Sequence, residues 1–427
     1  MLLWAYRILF APALVLLAPR YLWRMRRRGG YAAGFAERFG ATAWIPPRRP
    51  GVRRLWIQAV SVGELLAIAP LLEALAREPD VEVVLTCTTS TGRALAEQRY
   101  AGVTVARGYF PLDFWPIAAR VWSALSPDLL LLAEGERWPE HLAQARRRGV
   151  KVLCFNARLS DRSFRRMLAL RWAVPRLLRG VTRVLAASPA DAARFAEVGF
   201  DPGTVSVTGN LKLDVAPESI TGPEAEALRS DLGFAGNDPI LLGSSTWPGE
   251  EAVLLDVFQR LKQRGHAVRL LLVPRHAERR DQIVSLLAES QLSFHVRSSG
   301  PAPADAEVTL ADTTGELRRL TALAAMVFVG KSLPPHGEGQ TPIEAAAAGR
   351  PIAMGPGMWN FREVSAGLVA AGGAVWVGSA AEIAAVADRW LREPAARAAA
   401  GLAASGWHRV NRGALQRTLE VIRAEWG

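Results

Sequence analysis

The chain has 427 residues, half of them hydrophobic and 22% charged. It is too long for one ordinary core and too apolar to be disordered, so about two domains plus an appendage are expected. The formal charge of +12 is almost all arginine, since lysine occurs only as Lys151, Lys212, Lys262 and Lys331. Basic pairs such as Arg53-Arg54, Arg165-Arg166, Arg279-Arg280 and Arg318-Arg319 run along the whole chain, without zinc-finger spacing or an RNA-binding aromatic signature. A solvated face or an anionic membrane surface fits them better than nucleic acid does.

Residues 1–47 read as a membrane anchor and a basic juxtamembrane segment. Arg7 interrupts the opening apolar stretch, and the clean run from Ile8 to Ala18 is too short to span a bilayer by itself. A helix spanning with residues 2–22 requires Arg7 to snorkel. No small-residue cleavage site precedes Arg20, Arg24 and Arg26-Arg27-Arg28, which argues for an uncleaved anchor with its basic cluster beside anionic head groups on the cytoplasmic side. The sequence fits both a helix that crosses the bilayer and one that lies in its interface.

After a Pro/Arg-rich linker, Pro46 to Pro50, short apolar strands alternate with helical stretches. Seven are expected in a first domain, 48–220, beginning near Leu55, Val81, Val103, Asp128, Lys151, Val181 and Val205. A polar stretch from Ala216 to Asp238 leads to a second domain, 221–401, with strands beginning near Ile240, Val268, Leu292, Val308, Met326, Ile352 and Ala374. Such βα repetition predicts parallel sheets covered by helices on both faces. The fold class is therefore α/β, with two Rossmann-like domains facing a cleft in the manner of GT-B glycosyltransferases. The closing segment, 402–427, is expected to be helical and to pack back on the first domain. Cys87 and Cys154 lie in apolar strands and read as buried, reduced thiols.

Neither half carries Gly-x-Gly-x-x-Gly after its first strand, which weakens a dinucleotide reading. The Asp-x-Asp triplet that often holds a metal on a nucleotide-sugar diphosphate is missing as well.

Charged residues instead gather at strand ends. Ser61-Val62-Gly63-Glu64 joins the first strand to a helix and puts a carboxylate at the mouth of a βα turn, where α/β sheets present their chemistry. The same spacing is a capping box, so Glu64 has a structural reading beside the chemical one. Ala133-Glu134-Gly135-Glu136, Gly209-Asn210-Leu211-Lys212 and Val273-Pro274-Arg275-His276 occupy equivalent positions.

In the second half, Thr341-Pro342-Ile343-Glu344 has N-cap, N1 proline and N3 glutamate in order before an alanine-rich helix. One carboxylate oxygen of Glu344 is then available for ribose hydroxyls. Thr313-Thr314-Gly315-Glu316 repeats the pattern, and Arg275 adds a cation suited to phosphate. Two helix starts and one arginine suit a nucleoside monophosphate. His276 and His336 read as polar loop residues.

These motifs resemble those of the 3-deoxy-D-manno-octulosonic acid (Kdo) transferases. The similarity is carried by Ala59-Val60-Ser61-Val62-Gly63-Glu64, Glu134-Gly135-Glu136-Arg137-Trp138-Pro139, Asn156-Ala157-Arg158-Leu159-Ser160, Gly209-Asn210-Leu211-Lys212, Val273-Pro274-Arg275-His276 and Met354-Gly355-Pro356. The resemblance implies a CMP-Kdo donor, a lipid A precursor as acceptor, inversion at the anomeric carbon and no metal. It implies Glu64 as the base, Glu134 and Lys212 as transition-state stabilisers, and CMP contacts from Pro274, Arg275, Thr314, Gly315, Glu316, Thr341, Pro342, Ile343 and Glu344. It also implies a site of action at the cytoplasmic face of the inner membrane. Gly135, Arg137, Trp247 and Lys331 depart from the family's usual residues, as does Thr341 in a loop one residue longer. A UDP-sugar glycolipid transferase and a non-enzymatic, membrane-tethered nucleotide or lipid binder are the alternative readings.

Overall fold

Strands of a parallel sheet covered by helices on both faces read as near-continuous apolar runs. The strands of the computed structural model are mostly of this kind, and the polar residues within them, such as Arg54, Gln58, Glu82, Thr86 and Thr309, are buried. The structure describes residues 2–28, 34–135, 137–216, 218–234, 236–302 and 305–426. Glu136, part of one motif above, lies outside them.

The chain divides into two compact units, Met1–Asp214 with Arg412–Gly427, and Val215–Asn411. Unit 1 carries β1 (Arg53–Ala59), β2 (Val81–Cys87), β3 (Ala106–Tyr109), β4 (Leu129–Ala133), β5 (Lys151–Ala157), β6 (Arg183–Ala186) and β7 (Val205–Val207). They form one parallel sheet in the order β3-β2-β1-β4-β5-β6-β7. Unit 2 carries β8 (Ile240–Thr246), β9 (Arg269–Pro274), β10 (Phe294–Val296), β11 (Val308–Leu310), β12 (Met326–Val329), β13 (Ile352–Met354) and β14 (Ala374–Trp376). Its sheet, also parallel, has the order β10-β11-β9-β8-β12-β13-β14. The strand order reverses between β1 and β4 in unit 1 and between β8 and β12 in unit 2, and these are the points at which open α/β sheets bind ligands.

Side-chain alternation sorts the core of unit 1 into two layers. Leu55, Ile57, Leu129 and Leu131 pack on one face with Ile68 and Leu72 from the helix Val62–Ala76. Trp56, Leu130 and Leu132 pack on the other with Trp122 and Leu142. Arg54 departs from the solvated role expected of the basic pairs. It is fully buried because Glu82 stands opposite it on β2, and its guanidinium is shared between that carboxylate and the carbonyl oxygens of Leu125 and Pro46. Cys87 and Cys154 are buried and reduced, and burial pushes the Cys87 thiol up to about 12.

The closing segment differs from its expected single extent, 402–427. Pro394–Asn411 is one helix of unit 2, Gly413 turns the chain at φ 91°, and Ala414–Trp426 is a second helix that belongs to unit 1. The second helix buries Ala414, Leu419 and Ile422 in the same apolar layer as β1 and β4. Asp214 accepts hydrogen bonds from the N–H groups of Gly413 and Leu415, and Arg417 Nε donates to the carbonyl oxygen of Thr208 at 2.9 Å. Replacing the fully buried Ile422 with alanine should destabilise unit 1 by about 2–5 kcal/mol. Scanning calorimetry should show the transition of unit 1 moving down while that of unit 2 stays in place.

Candidate active site

Parallel pairing brings every carboxyl end of a sheet to one edge, and at that edge of unit 1 the chain makes two left-handed turns without glycine. Glu134 (φ 51°) follows β4, and Asn156 (φ 49°) sits near the end of β5. Each such residue costs on the order of 1–3 kcal/mol and persists only where its surroundings hold it. Here they hold each other through one carboxylate. Lys212 Nζ lies 3.0 Å from Glu134 Oε1, and Asn156 Nδ2 donates to the same oxygen at 3.4 Å. The buried Asn156 also accepts from the N–H of Leu211 at 3.0 Å, and Asn210 Oδ1 accepts from the N–H of Lys212 at 3.0 Å. The ends of β4 and β5 and the turn after β7 are thereby tied together, with Glu134 and Lys212 still partly exposed.

Glu64 stands in the first turn of the helix Val62–Ala76, and the expected capping box does not form. Ser61 is the N-cap, but its side chain accepts no backbone hydrogen bond. The Glu64 carboxylate reaches one residue further back, where Oε2 accepts from the N–H of Val60 at 2.8 Å. Ser61 Oγ donates to Oε1 at 3.5 Å. The extended backbone of Ser61 turns the Val60 N–H, rather than its own, toward the carboxylate. Because Gln58 of β1 pairs with Leu132 of β4, Glu64 and Glu134 leave neighbouring strand ends at the reversal of strand order.

The expected nucleotide residues of unit 2 lie on the corresponding edge. Pro274 ends β9 opposite Thr246, and the N–H of Arg275 donates to the carbonyl oxygen of Thr246 at 3.1 Å while its side chain is exposed. Thr314 and Gly315 are exposed after β11, with Gly315 at φ 89°. Glu316 departs from expectation. It is the N-cap of the helix Leu317–Leu323, not its N3 residue, and its carboxylate is bound by Arg297 at 2.7 and 2.8 Å and by the Thr313 hydroxyl. The Arg297 guanidinium holds the Glu316 carboxyl down to about 2.

Thr341 Oγ accepts from the N–H of Ile343 at 3.2 Å, and Pro342 and Ile343 are buried. The following helix, Ile343–Ala347, has only five residues and is assigned Pro342 as its N-cap, one residue later than expected. Glu344 Oε2 is buried without a hydrogen-bond partner among the described residues. Burial raises its pKa, opposed by its own N–H and the Thr341 hydroxyl. A buried oxygen in that condition costs about 1–3 kcal/mol until a donor reaches it.

Three contributors to these edges were not among the expected site residues. Asn156 had a visible signal, as a polar side chain in the apolar run of β5. Glu250, 2% exposed, accepts from the N–H groups of Trp247, Lys331, Ser332 and Leu333 and so shapes the loop after β12. No local pattern in the sequence announces this role. The third is a pair formed by two of the unusual residues, in which Lys331 Nζ sits 4.0 Å from the centroid of the Trp247 ring. The Trp247 ring also packs against His276 and His336, with centroids 5.3 and 5.7 Å away. Gly355 is required where it stands, since a Cβ there would lie 2.1 Å from the Ser332 carbonyl oxygen.

Residues 33–215 match the family model described as 3-deoxy-D-manno-octulosonic-acid transferase (kdotransferase). The chain is 37% identical to the 3-deoxy-D-manno-octulosonic acid transferase of Bordetella pertussis over 95% of both proteins. It is 30% identical to the enzyme of that name from Haemophilus influenzae, over 95% of this chain and 92% of the relative. Among solved structures, a UDP-GlcNAc 2-epimerase from Neisseria meningitidis matches with a TM-score of 0.61 at 16% identity, over 87% of this chain and all of the other. A glycosyltransferase from Rickettsia africae matches at 0.59 and 13%, over 88% of this chain and 99% of the other. These structures establish the GT-B type of fold, and the full-length relatives establish the rest: the chain belongs to the 3-deoxy-D-manno-octulosonic acid transferases, a family of glycosyltransferases.

Proposed function

We propose that this enzyme transfers Kdo from CMP-Kdo to a lipid A precursor at the cytoplasmic face of the inner membrane, with inversion at the anomeric carbon and without a metal. The observation that carries the reading is the carboxylate–ammonium pair of Glu134 and Lys212, held by two left-handed residues beside the strand end that bears Glu64. Glu64 removes the proton of an acceptor hydroxyl, whose oxygen bonds to the anomeric carbon as the bond from that carbon to the CMP phosphate oxygen breaks. A single displacement of this kind needs one base, a contribution worth roughly 100- to 10,000-fold. Lys212, fixed by Glu134, stabilises charge developing in the transition state.

Unit 2 supplies the donor side. Arg275 meets the phosphate, a pairing that guanidinium geometry favours. The turn at Thr314 and Gly315 and the segment Thr341–Glu344 line the nucleoside, and a ribose hydroxyl donates to Glu344 Oε2. Glu316 acts through Arg297 to keep its turn in place. A monophosphate leaving group carries less charge than a diphosphate, so an arginine and backbone N–H groups suffice to receive it. The apolar N-terminal helix keeps the enzyme near a lipid acceptor.

CMP release from CMP-Kdo should require a tetra-acylated lipid A precursor and should survive EDTA. A folded enzyme that releases no CMP, or one that chelator silences, contradicts the proposal. Calorimetry should show CMP binding without comparable UDP binding, and the reverse would favour a UDP-sugar donor. Lys212→Met should lower kcat by roughly 100- to 1,000-fold with CMP affinity unchanged. Glu344→Gln should weaken CMP binding by about tenfold or more, the size expected for a hydrogen bond to a charged group, with little change in melting temperature.

A further inference from the structure

The N-terminal helix, Leu2–Arg28, contains a stretch, Leu2–Trp23, long and apolar enough to cross a bilayer. Yet one side of it is committed to unit 1. Arg7 is buried, and its Nε and Nη2 donate to the two carboxylate oxygens of the buried Glu140 at 2.7 and 3.0 Å. The Tyr6 hydroxyl donates to Asp113, another buried carboxylate, and Phe10 stacks on Phe114 with centroids 6.2 Å apart. The other side is exposed and apolar, with Ile8, Leu9, Val15, Leu16, Leu17 and Trp23 each at least 60% exposed.

A crossing helix would give up these contacts. It would strand the Glu140 carboxylate inside unit 1 with Gln144 as its remaining side-chain donor among the described residues, and it would carry Arg7 toward hydrocarbon. The start of the helix gives a second indication. Leu2 and Leu3 help to line a cavity of about 1080 Å³ together with Arg146, Arg171, Arg176 and Arg179. Those arginines are exposed or half-exposed, and such groups belong at the level of lipid phosphates rather than across the membrane from them. The exposed Trp172 lines the same cavity, and tryptophan favours the head-group layer.

We infer that the N-terminal helix lies in the membrane interface, clamped to unit 1 by Arg7–Glu140, and that the adjoining arginine-lined cavity receives the phosphate of an anionic bilayer lipid. Residue 2 then stays on the same side of the membrane as the catalytic units. A helix held in this way binds through its exposed apolar side, with the neighbouring arginines adding attraction to anionic lipid. The inference rests on the membrane association proposed above, but its tests read topology and lipid binding without turnover, so its failure leaves the transferase reading standing.

The full-length protein, with one epitope tag ahead of Met1 and another after Gly427, can be treated with protease in vesicles of each orientation. Loss of both tags from the same vesicle face is expected. Loss of the two tags from opposite faces would establish a crossing helix and overturn the inference. The double variant Arg171→Glu/Arg176→Glu should bind phosphatidylcholine vesicles as the parent does. It should lose roughly tenfold or more in affinity when phosphatidylglycerol is added, since each basic group near an anionic surface contributes roughly fivefold. Equal loss on both kinds of vesicle, or none on either, would overturn the head-group site.

Discussion

Everything functional in this protein depends on the parallel pairing of its strands. In a parallel sheet all the carboxyl ends emerge on one edge, so residues far apart in sequence meet there without long loops. Glu134, Asn156 and Lys212 belong to the ends of three different strands of unit 1 and still share one carboxylate oxygen. Arg275, Lys331 and the Glu316 turn follow three strands of unit 2 and share its edge. The core positions these groups because its strands are largely apolar on both faces and most of the exposed charge falls beyond their carboxyl ends.

Backbone strain is concentrated on the same edges. Of the seven non-glycine residues with positive φ among the described residues, Glu134, Asn156, Ser245 and Lys331 lie at or just beyond the ends of β4, β5, β8 and β12. The flanking hydrogen bonds hold these conformations: Asn156 bridges β5 to the turn after β7, and Glu250 gathers three backbone N–H groups of the loop after β12 together with that of Trp247 after β8. Such stored strain suits a site that must keep its geometry while charge moves within it. The unpartnered oxygen of Glu344 is a comparable local cost, which the ribose hydroxyl of the proposed donor would relieve.

All fourteen strands were legible in the sequence because most are buried, short apolar runs bounded by turn residues, and the partly exposed edge strands, such as β7 and β14, keep the same spacing. Glu64, Glu134 and Lys212 stood out as charges just after such runs, and the structure sets Lys212 against the Glu134 carboxylate. Helix starts were less legible. Ser61 and Glu64, and Thr313 and Glu316, have capping-box spacing, but the Glu64 carboxylate takes the N–H of Val60, one residue further back, and that of Glu316 takes Arg297 from a neighbouring strand end. Arg54 looked solvated until the register set Glu82 opposite it. The contact between Lys331 and Trp247 joins the loops after β12 and β8, and no local pattern announces it.

As the proposed base, Glu64 would do chemistry beyond holding its turn. Glutamine at this position can still accept the Val60 N–H bond but cannot take a proton, so Glu64→Gln separates the two roles. The measurement is the rate of CMP release beside the melting temperature of the same preparation. The account predicts a fall of roughly 100- to 10,000-fold with an unchanged melting temperature. Undiminished release by a stable variant would contradict it and leave Glu64 a structural residue.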